Sequence, residues 1–247
     1  MIEYIVPGNI DDRILARAAN LLQGGGTIGI PTDTSWSIVC SMNSREGLKK
    51  LKALSKDREE RHFTLLCSDI SQFGEFCSLD NSRFRLIKRL TPGPYVFILK
   101  TLLGTEKTLG LKRREIGIRL PDYPVPLALI KTLGNPLYGI TAKRNMTMNT
   151  ADQDTEYDVS DPYNRDYERR SRNKDNDELP EENGSAGDSL FFREETLFDG
   201  GWEMEDIQGL DLILDPGEDR NRIFSTVLDI SSGDVQILRV GAGLWPI

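Results

Sequence analysis

At 247 residues, with 38% hydrophobic and 28% charged residues, the chain can bury one good core, and none of its apolar runs approaches the ~18 residues of a membrane span. The formal net charge of −8 is concentrated: residues 151–190 hold 13 Asp/Glu and 5 Lys/Arg, which leaves 26 of each sign elsewhere, so an acidic chain does not exclude an anion site on its body. The lone histidine, His62, excludes most zinc sites and most His-assisted nucleophiles, and three widely spaced cysteines (Cys40, Cys67, Cys77) read as reduced core thiols of a cytoplasmic protein rather than a disulfide frame.

The first residues show no basic stretch followed by an apolar one, so no secretory signal is expected. Asn9 is a candidate N-cap for a first helix carrying Ile14, Ala18, Leu21 and Leu22, with Gly24 as its stop. A strand over Thr27–Ile30 follows and ends at Pro31, where Thr32, Asp33 and Thr34 stand together. A buried strand that ends in hydroxyls and a carboxylate is how α/β proteins build small-molecule sites, although the same residues also make ordinary turns. Ile38–Cys40 reads as a further strand. Ser44 caps a second helix with Leu48, Leu51 and Leu54 inward, and the basic residues Lys52, Lys56, Arg58 and Arg61 run along it and the loop beyond. These cations are either a solvated face or a grip for phosphate or carboxylate.

Phe63–Cys67 reads as a buried strand, Asn81 as the cap of a third helix, and Thr91-Pro92-Gly93-Pro94 as its break before a strand over Tyr95–Leu99. Ile116–Leu120 alternates apolar residues with Gly117 and Arg119. That sets a cation inside a strand, either paired to a buried acid or aimed into a cleft. Pro124–Leu133 has the proline-rich first turn of a helix, and Leu137–Thr141 is strand-like, ending in Thr141-Ala142-Lys143-Arg144. Regular patterning then stops over 151–190 and resumes in Leu210–Leu214, Thr226–Ile230 and Val235–Val240. Alternating strands and helices predict an α/β layered domain, one domain over 1–247 with 151–190 as an acidic, flexible insertion. Phe224-Ser225-Thr226 and Arg239 complete the candidate polar residues.

In order, the segments are GGGTIGIPTDTSWSIVC, KALSKDREERHFTLL, LTPGPYVFIL, EIGIRLP, PLYGITAK, FSTVLDI and ILRVGAG. This series resembles the YrdC family of threonylcarbamoyl-adenylate synthases, and within it the subgroup typified by YciO, over about 1–145 and 205–247. The resemblance implies a twisted, mixed and largely parallel sheet with flanking helices around a large concave basic cavity. It implies the condensation of L-threonine, bicarbonate and ATP to threonylcarbamoyl-AMP and diphosphate, for modification of an adenosine in tRNA. Mg²⁺ would enter on the phosphates and not through protein ligands. Double-stranded RNA is a further implied partner.

By motif, Thr32, Thr34, Lys56, Arg61 and Arg119 are the implied substrate-binding residues. Arg58, Thr141, Lys143, Ser225 and Arg239 are the implied nucleotide-binding residues. No covalent catalytic residue is implied, since such a reaction needs orientation and charge neutralisation. Trp36 stands for the motif's usual tyrosine. The family's Lys-x-Arg aligns with Ser55-Lys56-Asp57, and its Ser-x-Asn with Thr141-Ala142-Lys143, where a lysine cannot accept a hydrogen bond as asparagine does. The second reading is therefore a protein of this fold that binds a nucleotide or RNA without this catalysis. A third is a related carbamoyl-adenylate activity.

Overall fold

The structure, a computed structural model, describes residues 1–55, 63–103, 114–146 and 194–245. In chain order these form β1 (Ile2–Tyr4), α1 (Asp12–Gln23), β2 (Ile28–Pro31), β3 (Trp36–Ser41), α2 (Arg45–Leu54), β4 (Thr64–Leu66), α3 (Ser71–Phe76), α4 (Asn81–Leu90), β5 (Tyr95–Lys100), β6 (Glu115–Arg119), α5 (Pro124–Leu133), β7 (Leu137–Thr141), β8 (Leu212–Asp215), β9 (Thr226–Asp229) and β10 (Gln236–Arg239). Short 3₁₀ turns lie at Arg144–Met146 and Gly201–Met204.

Local chemistry sets the helix ends. Asp11, not Asn9, caps α1 and accepts from the Arg13 N–H at 2.7 Å. Asp80, one residue before the expected Asn81, caps α4 in the same way through Arg83. Ser44 caps α2 as expected. α5 starts at Pro124 and stops at Gly134, whose φ of 77° is the left-handed conformation that glycine tolerates.

The strands form one ten-stranded sheet in the order β1-β8-β2-β3-β7-β4-β6-β5-β9-β10. Strands from before and after residues 151–190 thus share one sheet: β8 lies between β1 and β2, and β9 pairs with β5. The tract itself lies outside the described residues. The sheet is mixed, with four parallel pairings and five antiparallel ones. The expected parallel majority is therefore not seen among the described strands. The β2–β3 connection is too short for a crossover, so it can only make a hairpin.

The pleat sorts side chains onto two faces. On one face Ile38, Cys40, Leu65, Phe97, Ile118 and Tyr138 pack with Leu51 and Leu54 of α2, Phe73 of α3 and Ile87 of α4. On the other, Ile28, Ile30, Val39, Leu66 and Leu137 pack with α1 and α5. Farther along this second face the described residues form a small cluster of Val96, Ile98 and Val227. Ile116 and Ile118 face the first side, so Arg119, one position on, faces the second. Ser225 falls on that side too, two residues before Val227. All three cysteines are buried and free; burial pushes the Cys40 and Cys77 thiols up to about 12, which suits inert core residues.

Candidate functional site

The β2–β3 hairpin turns through Thr32-Asp33-Thr34-Ser35, closed by the Thr32 N–H donating to the Ser35 carbonyl at 3.1 Å. The Thr32 hydroxyl organises this turn. It donates to the Ser35 carbonyl at 2.6 Å and accepts from the Thr34 and Ser35 N–H groups, each at 3.2 Å. Its proton is thereby committed to the turn, and the buried Thr34 hydroxyl is the one that meets Arg119 and Ser225. Thr34 Oγ1 lies 3.2 Å from Thr32 Oγ1 and 3.5 Å from Ser225 Oγ.

Arg119 joins these pieces. Its Nη2 donates to Asp33 Oδ1 at 2.5 Å, its Nη1 to Ser225 Oγ at 2.5 Å, and both nitrogens to Thr34 Oγ1 at 3.2 Å. The residue is only 5% exposed. Burial pulls the guanidinium below its usual pKa and Asp33 opposes that, yet an arginine stays charged at neutral pH. Arg119 Nε and Asp33 Oδ2 are buried without a hydrogen-bond partner. The alternatives left by the sequence thus resolve into a buried ion pair that also donates to two hydroxyls.

These contacts require a strongly curved sheet. Through β4 and β7, Arg119 is level with Leu137 and Ser41, whereas Pro31 and Trp36 lie at the Thr141 end. The two groups sit at opposite ends of the strands. Between β3 and β6 lie three strand steps, roughly 14 Å in a flat sheet at ~4.8 Å per step, and between β2 and β9 six, roughly 29 Å. Contact of Thr34 with Arg119 and Ser225 means that the sheet twists and coils until diagonal corners meet on the α1/α5 face.

A second group of cations borders Ser225. Arg239 lies over one ring, Phe224, at 4.6 Å, and Lys143 Nζ is 5.7 Å from the same ring. The Arg239 Nε also donates to the Ser225 carbonyl at 2.9 Å. A Cβ on Gly241 would come within 2.2 Å of the Phe224 carbonyl oxygen, so the glycine lets the segment after β10 press against the Phe224–Ser225 backbone. Thr141 closes β7 opposite Ser37, two residues before Lys143. Lys56, Arg58 and Arg61 lie outside the described residues. The structure therefore brings together Thr32, Thr34, Arg119 and Ser225, with Arg239 and Lys143 beside them.

Several residues here carry no assignment from sequence. Asp33 is one, though its place between two threonines in the motif was a signal. Asp199, Arg144, Arg220 and Arg222 are others. The Asp199 carbonyl accepts from the Trp36 indole N–H at 3.0 Å, and its carboxylate pairs with Arg222 at 3.1 Å and Arg144 at 3.6 Å. Arg144 also pairs with Glu203. Burial works against ionisation of Glu203, but the Gly200 N–H, Arg144 and the Asp199 N–H outweigh it and hold the carboxyl below its usual range. Among the described residues, no group of three or more His, Cys, Asp or Glu is placed to hold a metal ion, and no helix is long and apolar enough to cross a membrane.

Comparison with known proteins fits this order of motifs. The Sua5/YciO/YrdC family, described as Telomere recombination, matches residues 20–161. The chain belongs to that family. The YciO protein of Escherichia coli K12 is 35% identical over 135 residues, 54% of this chain and 66% of that protein, and a Haemophilus influenzae protein is 38% identical over 135 residues, 54% and 65% respectively. The chain thus spans just under two thirds of the length of these relatives. Mouse threonylcarbamoyl-AMP synthase is 28% identical over 123 residues, 50% of this chain and 44% of the mouse protein. The crystal structure of E. coli YciO superposes with a TM-score of 0.67 at 25% identity, covering 99% of this chain and 97% of that one. Pyrococcus abyssi Sua5 in complex with L-threonine shares the fold, with a TM-score of 0.70 at 16% identity over 98% of this chain and 57% of that one.

Proposed function

We propose that this Sua5/YciO/YrdC-family protein is an L-threonylcarbamoyladenylate synthase, acting on L-threonine, bicarbonate and MgATP. The observation that carries the reading is the buried Arg119, which ties the Thr32–Thr34 turn to Ser225 across the curved sheet. Threonylcarbamoyl-AMP synthases among its relatives, and an L-threonine complex among its structural neighbours, support the same substrate class.

In this reaction the threonine amine and bicarbonate form a carbamate with loss of water. A carbamate oxygen then attacks the α-phosphorus of ATP, a new P–O bond forms, and the bond to the bridging oxygen breaks as diphosphate leaves. The chain's part is placement and charge. The Arg119 guanidinium neutralises negative charge beside the Thr34 hydroxyl. Ser225 accepts from Arg119 and keeps a hydroxyl proton to give to an oxygen of the ligand. Lys143 and Arg239 supply positive charge on the Phe224 side, where the triphosphate is expected. Lys56, Arg58, Arg61 and Thr141 extend the binding surface in this reading. The product would serve modification of tRNA, and RNA is the expected macromolecular partner in the cytoplasm.

The test is diphosphate release from purified protein with ATP, bicarbonate and L-threonine. Threonine-dependent release is the expected result. ATP binding without such release would overturn the synthase and leave the nucleotide-binding reading, which the Asp57 and Lys143 replacements favour.

A further inference from the structure

The turn that presents Thr34 is held from outside by residues distant in sequence. Arg220 precedes Ser225 on the run into β9. Its Nη2 donates to the Thr32 carbonyl at 2.7 Å and its Nη1 to the Tyr123 hydroxyl at 3.2 Å. The guanidinium lies over the Tyr123 ring at 4.3 Å. Burial raises the Tyr123 hydroxyl above its usual pKa, with Arg220 opposing and Glu218 adding to it, so the phenol stays protonated at neutral pH. The Arg220 backbone N–H donates at 2.8 Å to the Asp199 carbonyl, the same oxygen that holds the Trp36 indole. One side of the hairpin tip is thus fixed at Thr32 by a side chain stacked on Tyr123. The other is fixed at Trp36 by the carbonyl that also anchors the Arg220 backbone.

We infer that Arg220 is a positioning residue: it clasps the 32–35 turn and thereby sets the Thr34 hydroxyl against Arg119 and Ser225. Several features favour this over a general structural tie. The Thr32 carbonyl is at the tip and not in the ladder, since the β2–β3 pairing ends at Pro31 and Trp36. The Thr32 hydroxyl in turn holds the Thr34 and Ser35 amides, so a shift of Thr32 moves both. A planar, five-donor head can serve the Tyr123 hydroxyl, the Thr32 carbonyl and the aromatic face at once; a lysine cannot. The Arg220–Tyr123 pair also links the turn to the residue that opens α5, so the clasp spans three elements that are remote in sequence.

This inference rests on the proposed function only for its ligand arm, and the test separates the two. Amide hydrogen exchange by NMR is measured for the wild type, Arg220→Ala, Arg220→Lys and Tyr123→Phe. L-threonine binding is measured by calorimetry, and threonine-dependent diphosphate release is split into kcat and KM. In Arg220→Ala the Thr32, Thr34 and Ser35 amides are expected to exchange about tenfold faster, the scale of one lost charged hydrogen bond, while the β3 and β7 amides keep wild-type rates. The KM for threonine is expected to rise about tenfold, with kcat changed less. Arg220→Lys falls between, and Tyr123→Phe, which keeps the ring, has the smallest effect. Unchanged exchange at the three turn amides would overturn the clasp. Equal acceleration throughout the sheet would overturn it too, because that marks lost stability rather than lost position. A wild type that binds no threonine defeats the synthase reading alone, because the exchange measurement still decides the clasp.

Discussion

The two ends of the candidate site use cations in opposite ways. Arg119 is nearly fully buried and shares its donors among one carboxylate and two hydroxyls. Lys143 and Arg239 are half-buried and lie against the Phe224 ring. A buried guanidinium has already given up its hydration and must keep its partners, so its position is rigid and its loss is expensive. Cations on a ring at the edge keep part of their water, so a ligand there has less desolvation to repay. The first arrangement defines a shape; the second supplies adjustable charge.

The largest test of that contrast is Arg119→Met. It leaves the largely buried Asp33 carboxylate without its cation, and breaking such a buried pair costs ~3–5 kcal/mol. Denaturant midpoints read the loss. Adding Asp33→Asn to Arg119→Met removes the stranded charge and is expected to restore part of the stability while threonine binding stays absent. Full additivity of the two substitutions would mean that the ion pair is not the unit described.

A smaller effect separates the site from its supporting network. Glu203 is held below its usual pKa in the folded chain, and its unfolded value is ~4.3. A depressed carboxyl contributes stability that is present above the unfolded value and is lost as pH falls through the folded one. Melting temperature in the wild type is therefore expected to drop more steeply below about pH 4.3 than in Glu203→Gln. Parallel acid limbs for the two proteins would show that Glu203 carries none of this dependence.

Much of the architecture was legible because its signals are local. The proline start and glycine stop of α5 and the run of β7 give both elements their observed bounds. Caps displaced by one or two residues, Asp11 for Asn9 and Asp80 for Asn81, show competition among neighbouring acceptors that sequence cannot rank. β1 has three residues and forms by pairing with β8, more than 200 residues away, so nothing local announces it. α3 is six residues long and lacks a side-chain cap. At the site, Thr34, Arg119 and Ser225 carry motif signals. Arg220 and Asp199 act through the Thr32 carbonyl and the Asp199 carbonyl. Backbone acceptors are the same in every residue, so no pattern of residue types could have marked them.

The smallest effect tests the edge itself. A double-mutant cycle of Phe224→Leu with Arg239→Met isolates the ring–guanidinium term from the Arg239 hydrogen bond to the Ser225 carbonyl, because the arginine is lost in both arms that contain Met. A half-exposed cation on an aromatic face is worth ~0.5–1 kcal/mol, so the coupling in stability is expected within that range. The same cycle read by ATP affinity is expected to show a different coupling, since the guanidinium that rests on Phe224 in the free protein would turn to phosphate in the complex. If the stability and ATP couplings agree, Arg239 does not move between ring and ligand, and the edge is as fixed as the Arg119 end. If the ATP coupling vanishes or reverses sign while the stability coupling remains, the ring is the resting place of a mobile cation. The two ends then differ in the way their burial implies.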